Sequence, residues 1–263
     1  SITTTKPQAF WLKAQTTGES AYHLPEMKST FVRASWLAVT LGTLAIGIEV
    51  KLVTFDGTNA TSHEFEDWWD PVMGSESYGK WTVDAAGRFG HLTGVVTVAT
   101  RPATSLIHAS PGYVDAGADG PFPDASLAGL GDLVLMVRSA TPEFKGFRVA
   151  VASGAKFPTY ACKAGGSLPL SSGCWKATFM VPAGAEFAEV RVPLNTFSDK
   201  WDPQTGMAKK TCEMDASVCP TVEVLKSIQR VELWAEGYSG DIDLQIQSIS
   251  VTSAVGSDSA LIV

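Results

Sequence analysis

Short apolar segments, broken every few residues by glycine, proline, asparagine or aspartate, are the feature that most constrains this fold. From residue 48 onward, apolar and polar residues alternate within these segments, as in residues 49–55 and 241–251. A period of two places alternate side chains on the same face of a β-strand. No long segment carries the 3.6-residue period of a helix. The sequence therefore predicts an all-β fold.

The pattern predicts nine or ten strands in one domain that spans residues 48–255, with a tail at 256–263. Many short strands separated by Gly/Pro turns indicate a β-sandwich or a barrel. We expect a helical turn at 220–225, and residues 110–131, rich in glycine and proline, are predicted as the longest loop. The predicted strands are 49–55, 79–84, 91–100, 133–137, 147–152, 174–181, 187–192, 228–235 and 241–251.

Composition excludes two broad classes. Apolar residues make up 45% of the 263 residues and charged residues 18%, which predicts a packed core instead of a disordered chain. The formal net charge is -7. An acidic surface repels phosphate backbones, so we expect no nucleic-acid partner.

Residues 27–47 combine a basic start, an apolar run and small residues before a possible cleavage point, the three parts of a secretory signal peptide. The apolar run of about 13 residues is shorter than the ~20 that span a bilayer, so we expect no stable membrane span in the mature chain. A buried strand or core helix is the alternative. Residues 1–26 are interpreted as leader sequence or as a transit-like extension. The prediction is a secreted or endomembrane protein, with 1–47 outside the fold.

The cysteine pattern agrees with an oxidising compartment. The simplest of three possible pairings joins Cys162 to Cys174 and Cys212 to Cys219. Neither spacing is C-x-x-C and no histidine is nearby, so a zinc site is not predicted. Asn59 begins an Asn-Ala-Thr acceptor triplet for N-glycosylation.

The stretch DWWDPVMGSESYGKW, residues 67–81, concentrates aromatic and acidic residues. One interpretation is a structural corner, in which Asp70 and Pro71 begin a turn and Gly74 adopts a conformation that other residues resist. The other is a sugar-stacking platform with nearby carboxylates, because aromatic rings present rigid amphipathic surfaces. The candidate ligand-binding residues are Trp68, Trp69, Asp70, Glu76, Tyr78 and Trp81, with Asp67 as a further acceptor.

Other candidate chemistry is sparse. Carboxylates on the Gly-rich loop, at Asp115, Asp119 and Asp124, suggest a structural Ca²⁺ site, although their spacing fits no EF-hand. A second cation site could be formed by His63, Glu64 and Glu66, although a solvated acidic loop is the simpler interpretation. Asp199, Trp201 and Asp202 are interpreted as a turn. We predict no metal centre and no cofactor beyond that possible Ca²⁺.

Several motifs lie in an order known from another protein family. The motif Asp-Pro-Val-Met-Gly-Gly-x-Ser-x-Gly is matched by Asp70, Pro71, Val72, Met73, Gly74, Ser77 and Gly79. This motif and the later segments 146–149, 175–179, 190–197, 227–231 and 242–249, taken in order, resemble the complex I intermediate-associated protein 30 family. Two departures are Ser75, in place of the second glycine, and Trp69, in place of an asparagine.

The resemblance implies a galactose-binding-like jelly-roll β-sandwich and no catalytic residue set. It also implies a role in assembling respiratory complex I in mitochondria, which the signal peptide and paired cysteines do not favour. An organelle, mitochondrion or plastid, is the alternative location. The sequence therefore predicts a non-catalytic binding module for carbohydrate or a glycoprotein. A protein-binding assembly factor or chaperone-like subunit is the alternative, and an unrecognised hydrolase is a third hypothesis.

Overall fold

The computed structural model describes residues 47–69, 76–98, 112–153, 174–202 and 206–254. These residues form eleven β-strands, one short α-helix, α1 (Val222–Lys226), and three 3₁₀ turns. The strands are β1 (Glu49–Thr54), β2 (Phe65–Trp69), β3 (Tyr78–Asp84), β4 (Phe89–Val96), β5 (Tyr113–Asp119), β6 (Asp132–Ser139), β7 (Phe147–Ser153), β8 (Cys174–Thr178), β9 (Ala188–Pro193), β10 (Ile228–Glu236) and β11 (Gly240–Thr252).

The strands form two antiparallel sheets that pack as a jelly-roll β-sandwich. Sheet I has the order β3-β4-β11-β6-β9, and β1 pairs with the last part of β11. Sheet II has the order β2-β5-β10-β7-β8. The fold is therefore all-β, as the alternating pattern predicts. Among the described residues, no helix is long and apolar enough to cross a membrane.

A register shift in β11 explains how one long strand contributes to the core along its whole length. Pairing with β6 shifts between Ile246 and Ser248. Before the shift Leu244 and Ile246 are buried, and after it Ile249 and Val251 are buried. An extra residue at such a bulge changes whether the even-numbered or the odd-numbered side chains point into the core. Both ends of β11 therefore bury apolar side chains.

The core is one apolar layer between the two sheets, and it includes Trp81. The Trp81 ring stacks on Phe65 with centroids 4.8 Å apart and lies 5.8 Å from the ring of Phe55. Its backbone N–H donates to Asp67 Oδ2 across the sheets at 2.8 Å. These contacts fix β2 of sheet II against β3 of sheet I.

Two strands were missed by the sequence prediction. Residues 110–131 were predicted as a loop, but they contain β5, which pairs with both β2 and β10 inside sheet II. The strand escapes detection because YVDAGAD is rich in residues that disfavour strands. Its Val114 and Ala116 are nevertheless fully buried. The sequence analysis also predicts no strand at β2, whose last three residues belong to the stretch 67–81 that is interpreted as a structural corner.

The cysteine prediction is partly tested. Cys212 and Cys219 form a disulfide with their Cα atoms 5.2 Å apart, as predicted. Cys174 is also disulfide-bonded, whereas its predicted partner Cys162 lies outside the described residues. Residues 1–46 and 255–263 lie outside them as well, so the leader, signal peptide and tail stay predictions.

We expect Trp81→Ala to lower the free energy of unfolding by about 3–5 kcal/mol, because it leaves a large cavity beside Phe55 and Phe65. Val83→Ala, on the same strand at a half-exposed position, is the matched control and should cost less than about 1 kcal/mol. Urea denaturation followed by tryptophan fluorescence measures both. Equal losses for the two variants would contradict the placement of Trp81 in the core.

Candidate ligand-binding face

The outer face of sheet II carries a polar and aromatic layer on top of small residues. We define this face by the residues that alternate with the buried core positions of its five strands. Gly117, Ala150 and Ala152 form its floor. Its larger members are Glu66, Trp68, Tyr113, Asp115, Asp119, Arg148, Lys176, Arg230, Glu232, Trp234 and Glu236.

A buried lysine lies between two tryptophans on the β8 side of this face. Lys176 Nζ is 3.7 Å from the centroid of the Trp234 ring and 4.0 Å from that of Trp201. The ammonium also donates to Glu236 Oε1 at 2.8 Å. Burial lowers the pKa of Lys176, and the Glu236 carboxylate opposes this shift. Ion pairing and the two ring faces together stabilise a charge that water does not reach.

Glu236 is also held by Arg148, and it lies close to the backbone of a loop glycine. Arg148 Nη1 lies 3.5 Å from Glu236 Oε1 and donates to the Glu236 backbone carbonyl at 2.9 Å. A Cβ at Gly206 would lie 2.4 Å from Glu236 Oε1, and the φ of Gly206 is +64°. Glycine at this position therefore allows the backbone of residue 206 to pack directly on the carboxylate.

A second charged group lies across the middle of the face. Arg230 pairs with Glu232 through Nε and with Asp119 Oδ1 through Nη1 at 2.8 Å. The other Glu232 oxygen accepts from Trp234 Nε1 at 2.9 Å. A Cβ at Gly117 would meet Arg230 Nη2 at 2.6 Å. The missing side chain at Gly117 thus leaves the space that Arg230 and Glu232 occupy.

Asp115 sits in one cross-strand row with Trp68 and Trp234. It is 6% exposed, and its Oδ1 atom has no hydrogen-bond partner within the part of the chain that the structure describes. Burial, followed by the negative charge of Glu232, raises the pKa of Asp115 well above its ordinary value. In this row the buried carboxyl group of Asp115 therefore has an indole side chain as its neighbour on each side.

The β2 side of the face carries exposed side chains. The side chain of Trp68 is 54% exposed, and Glu66 on the same strand is exposed too. Tyr113 is half-buried, with its ring 5.2 Å from that of Trp234. An accessible indole thus lies beside a half-buried phenol and several carboxylates, whereas the β8 side is closed over Lys176.

The predicted aromatic platform is divided among three environments. Trp68 is on the outer face of sheet II, but Trp69 packs against the core and Trp81 is inside it. Tyr78 and Glu76 are exposed, with Tyr78 on β3 at the edge of sheet I. The candidates therefore do not form one platform: Trp68 and Trp69 are adjacent on β2 and point to opposite faces, and Trp81 lies in the core on β3. Ligand binding by the exposed candidates stays a prediction.

Of the stretch that is interpreted as a structural corner, the structure describes the two ends, residues 67–69 and 76–81. Asp67 bonds the backbone of Trp81, so its role is structural. Ser77 Oγ accepts from the N–H of Thr97 at 2.9 Å. A Cβ at Gly79 would lie 2.1 Å from Val114 Cγ1, so glycine allows β3 to approach sheet II. The other motif residues, Asp70, Pro71, Val72, Met73 and Gly74, lie outside the described residues.

The predicted calcium ligands have separate surroundings. Asp115 is on β5, Asp119 binds Arg230, and Asp124 caps a 3₁₀ turn by accepting from Ser126 N–H at 3.0 Å. Across the described ranges, no group of three or more His, Cys, Asp or Glu side chains is placed to hold a metal.

The other predicted polar clusters are structural or exposed. The ring of His63 packs on Phe122 with centroids 4.2 Å apart, and burial lowers the pKa of His63; Glu64 and Glu66 are exposed. In the segment predicted as a turn, Asp199 and Asp202 pair with Lys200 and Lys209. Trp201 is buried over Lys176, whereas the acceptor Asn59 is exposed in a turn.

Sequence reasoning missed most of the charged residues on the outer face of sheet II. On β10, Val231, Leu233 and Ala235 are buried in the core. The residues that alternate with them, Glu232, Trp234 and Glu236, lie on the outer face of sheet II. This alternation in the sequence could have indicated that face. Their partners Arg148 and Lys176 come from distant strands, so the signal did not indicate the ion pairs.

No family model and no curated relative matches the chain, so the resemblance to the complex I intermediate-associated protein 30 family stays a prediction. Among solved structures, the chain is similar to a family 11 carbohydrate-binding module from Clostridium thermocellum in complex with a β-1,3-1,4-mixed-linked tetrasaccharide. The identity is 13% and the TM-score 0.45, over 80% of this chain and 98% of that one.

Two further solved structures are similar. The mannan-recognising module TmCBM27 is 9% identical with a TM-score of 0.35, over 80% of this chain and 100% of that one. An exo-β-agarase is 11% identical with a TM-score of 0.39, over 78% of this chain and 25% of that one. These values describe a remote resemblance in fold.

We expect Lys176→Met to lower the free energy of unfolding by about 3 kcal/mol, because it removes the ammonium and leaves the buried Glu236 carboxylate poorly compensated. Lys200→Met is the matched control. Lys200 forms an exposed ion pair with Asp199, and such pairs contribute about 0–1 kcal/mol. Chemical denaturation at constant pH measures both. A Lys176 variant as stable as the Lys200 variant would contradict this account of the buried pair.

Proposed function

We propose that this chain is a non-catalytic binding module for carbohydrate, and that the outer face of sheet II holds the ligand. The observation that carries this proposal is the exposed indole of Trp68 in one row with the buried carboxyl group of Asp115. A flat apolar surface beside hydrogen-bonding groups of fixed position is the combination that pyranose rings need. Sugars present C–H faces to aromatic rings and hydroxyl groups at their edges.

The rigidity of the face supports binding. Polar side chains that are held before the ligand arrives lose little conformational entropy when it binds. Here the buried Glu232 holds Arg230, and Arg230 in turn fixes the carboxylate of Asp119. Carboxylate and guanidinium groups in such a network can accept from and donate to hydroxyl groups without rearranging.

Binding is proposed in preference to hydrolysis. Glycoside hydrolysis uses two carboxyl groups on either side of the scissile bond, one as an acid and the other as a base or nucleophile. On the outer face of sheet II, Glu232 and Glu236 are buried in ion pairs with Arg230 and Lys176. Those pairs favour a structural role for both glutamates.

We also propose that the module works in an oxidising compartment, outside the cell or in the endomembrane lumen. The disulfide between Cys212 and Cys219 and the bonded state of Cys174 support this placement, because disulfides persist mainly in such compartments. The exposed position of Asn59 leaves its acceptor side chain accessible to glycosylation.

We expect Trp68→Ala to weaken the binding of a neutral polysaccharide by about 2 kcal/mol, roughly 30-fold in Kd, because an exposed tryptophan anchor is lost. Affinity electrophoresis against a panel of neutral soluble polysaccharides identifies a ligand, and calorimetry measures the change. Tyr78→Ala is the control, since Tyr78 is equally exposed but projects from the edge of sheet I.

Retention of the wild-type chain by none of the polysaccharides would contradict the proposal. So would a loss of binding in the Tyr78 variant with none in the Trp68 variant. Co-purification of the chain with a membrane complex, in the absence of glycan binding, would instead favour the assembly role that the family resemblance implies.

A further inference from the structure

Asp115 occupies the boundary between the open and the closed halves of the outer face of sheet II. Its neighbours across the two strand pairings are the exposed Trp68 and the buried Trp234. Its Oδ1 atom is buried, and no described residue supplies a hydrogen bond to it. A charged carboxylate in this position would be dehydrated and poorly compensated.

The cations of the outer face of sheet II are already bound to other groups. Arg230 is bound by Glu232 and Asp119, and Lys176 is bound by Glu236. Arg148 donates to the backbone carbonyls of Gly146 and Glu236. Arg230 and Lys176 still attract the Asp115 carboxylate, but burial and the charge of Glu232 outweigh them and raise the pKa of Asp115.

The strands that surround Asp115 also bring negative charge. β10 contributes Glu232 and Glu236 together with Arg230, and β2 contributes Glu66. β7 and β8 contribute Arg148 and Lys176, whereas β5 itself carries Asp119. The described face thus holds four other carboxylates against three cations, and ionising Asp115 would increase the imbalance.

We propose that Asp115 is a neutral carboxylic acid at neutral pH and donates its proton in a hydrogen bond to an uncharged acceptor oxygen of a sugar stacked on Trp68. The donor role rests on the proposed function, whereas the protonation state does not. The raised pKa of Asp115, caused first by burial and then by Glu232, agrees with this assignment.

The assignment predicts the class of ligand. A protonated acid donates to a hydroxyl, a ring oxygen or an amide carbonyl, and its other oxygen accepts from a hydroxyl group. The remaining carboxylates of the face, Glu66 and Asp119 among them, repel anions. The ligand is therefore a neutral glycan, and uronate-containing or sulfated glycans bind more weakly.

The protonation state is tested without a ligand. An acid that is neutral in the folded state and ionised in the unfolded state binds more protons when folded. Its stabilising effect is present below the ordinary pKa of 3.8 and is lost as pH rises towards the raised value. We expect the folding equilibrium constant of the wild type to fall, relative to that of Asp115→Asn, by up to about tenfold per pH unit in this window.

Asp241→Asn is the control, since Asp241 is exposed on β11 of sheet I; its profile should follow that of the wild type. Parallel profiles for wild type and Asp115→Asn would show that Asp115 is ionised in the folded state. If the variant does not fold, ¹³C NMR of the aspartate carboxyl carbons in the wild type measures the same titration. A resonance of Asp115 that titrates near 3.8 overturns the proposal.

The donor role is tested with the neutral polysaccharide that binds the wild type most tightly in the affinity gel. We expect wild-type affinity to fall as Asp115 ionises, whereas Asp115→Asn, whose amide still donates, binds equally across the same pH range. Asp115→Ala binds weakly throughout. Wild-type affinity that does not change with pH overturns the donor role. If no neutral polysaccharide binds, the proposed function and the donor role both fail, and the unfolding series still decides the protonation state.

Discussion

A charge buried on the outer side of a sheet must be compensated by groups that the fold itself supplies, and Lys176 and Glu236 meet this need for each other. The two residues come from β8 and β10, the edge strand and the centre of sheet II, and their charged atoms lie 2.8 Å apart. Trp234 and Trp201 enclose the ammonium from two sides. In this arrangement the buried Trp201 ring covers Lys176 on the β8 side of the face.

Closure on one side gives the outer face of sheet II its asymmetry. Toward β8 the charged side chains are buried in ion pairs, whereas toward β2 the Trp68 indole and the Glu66 carboxylate are exposed. Asp115 lies where the two halves meet, next to Trp68 and within the field of the buried charges. A ligand on Trp68 would therefore meet rigid polar groups on one side and water on the other.

The alternating pattern was sufficient to predict the class of fold and most strands, because a period of two is imposed by the β-strand itself. It failed for β5, whose YVDAGAD sequence becomes a strand through pairing on both sides. It also failed to show that Trp68 faces outward whereas Trp69 and Trp81 face the core. Alternation tells which side chains of a strand share a face, but not which of the two faces meets the core. The partners of Glu236 come from strands up to 88 residues away, and cross-strand register of that range cannot be read from one sequence.

The proposed binding site is the outer face of sheet II, and its proposed ligand is a neutral glycan. Chemical-shift mapping with ¹⁵N-labelled protein and a neutral oligosaccharide tests it most directly. The account predicts shifts in the indole N–H of Trp68 and in the amides of β2, β5 and β10, whereas the indole N–H of Trp81 stays in place. Shifts confined to the outer face of sheet I, around His91 and Asp243 on β4 and β11, would contradict it.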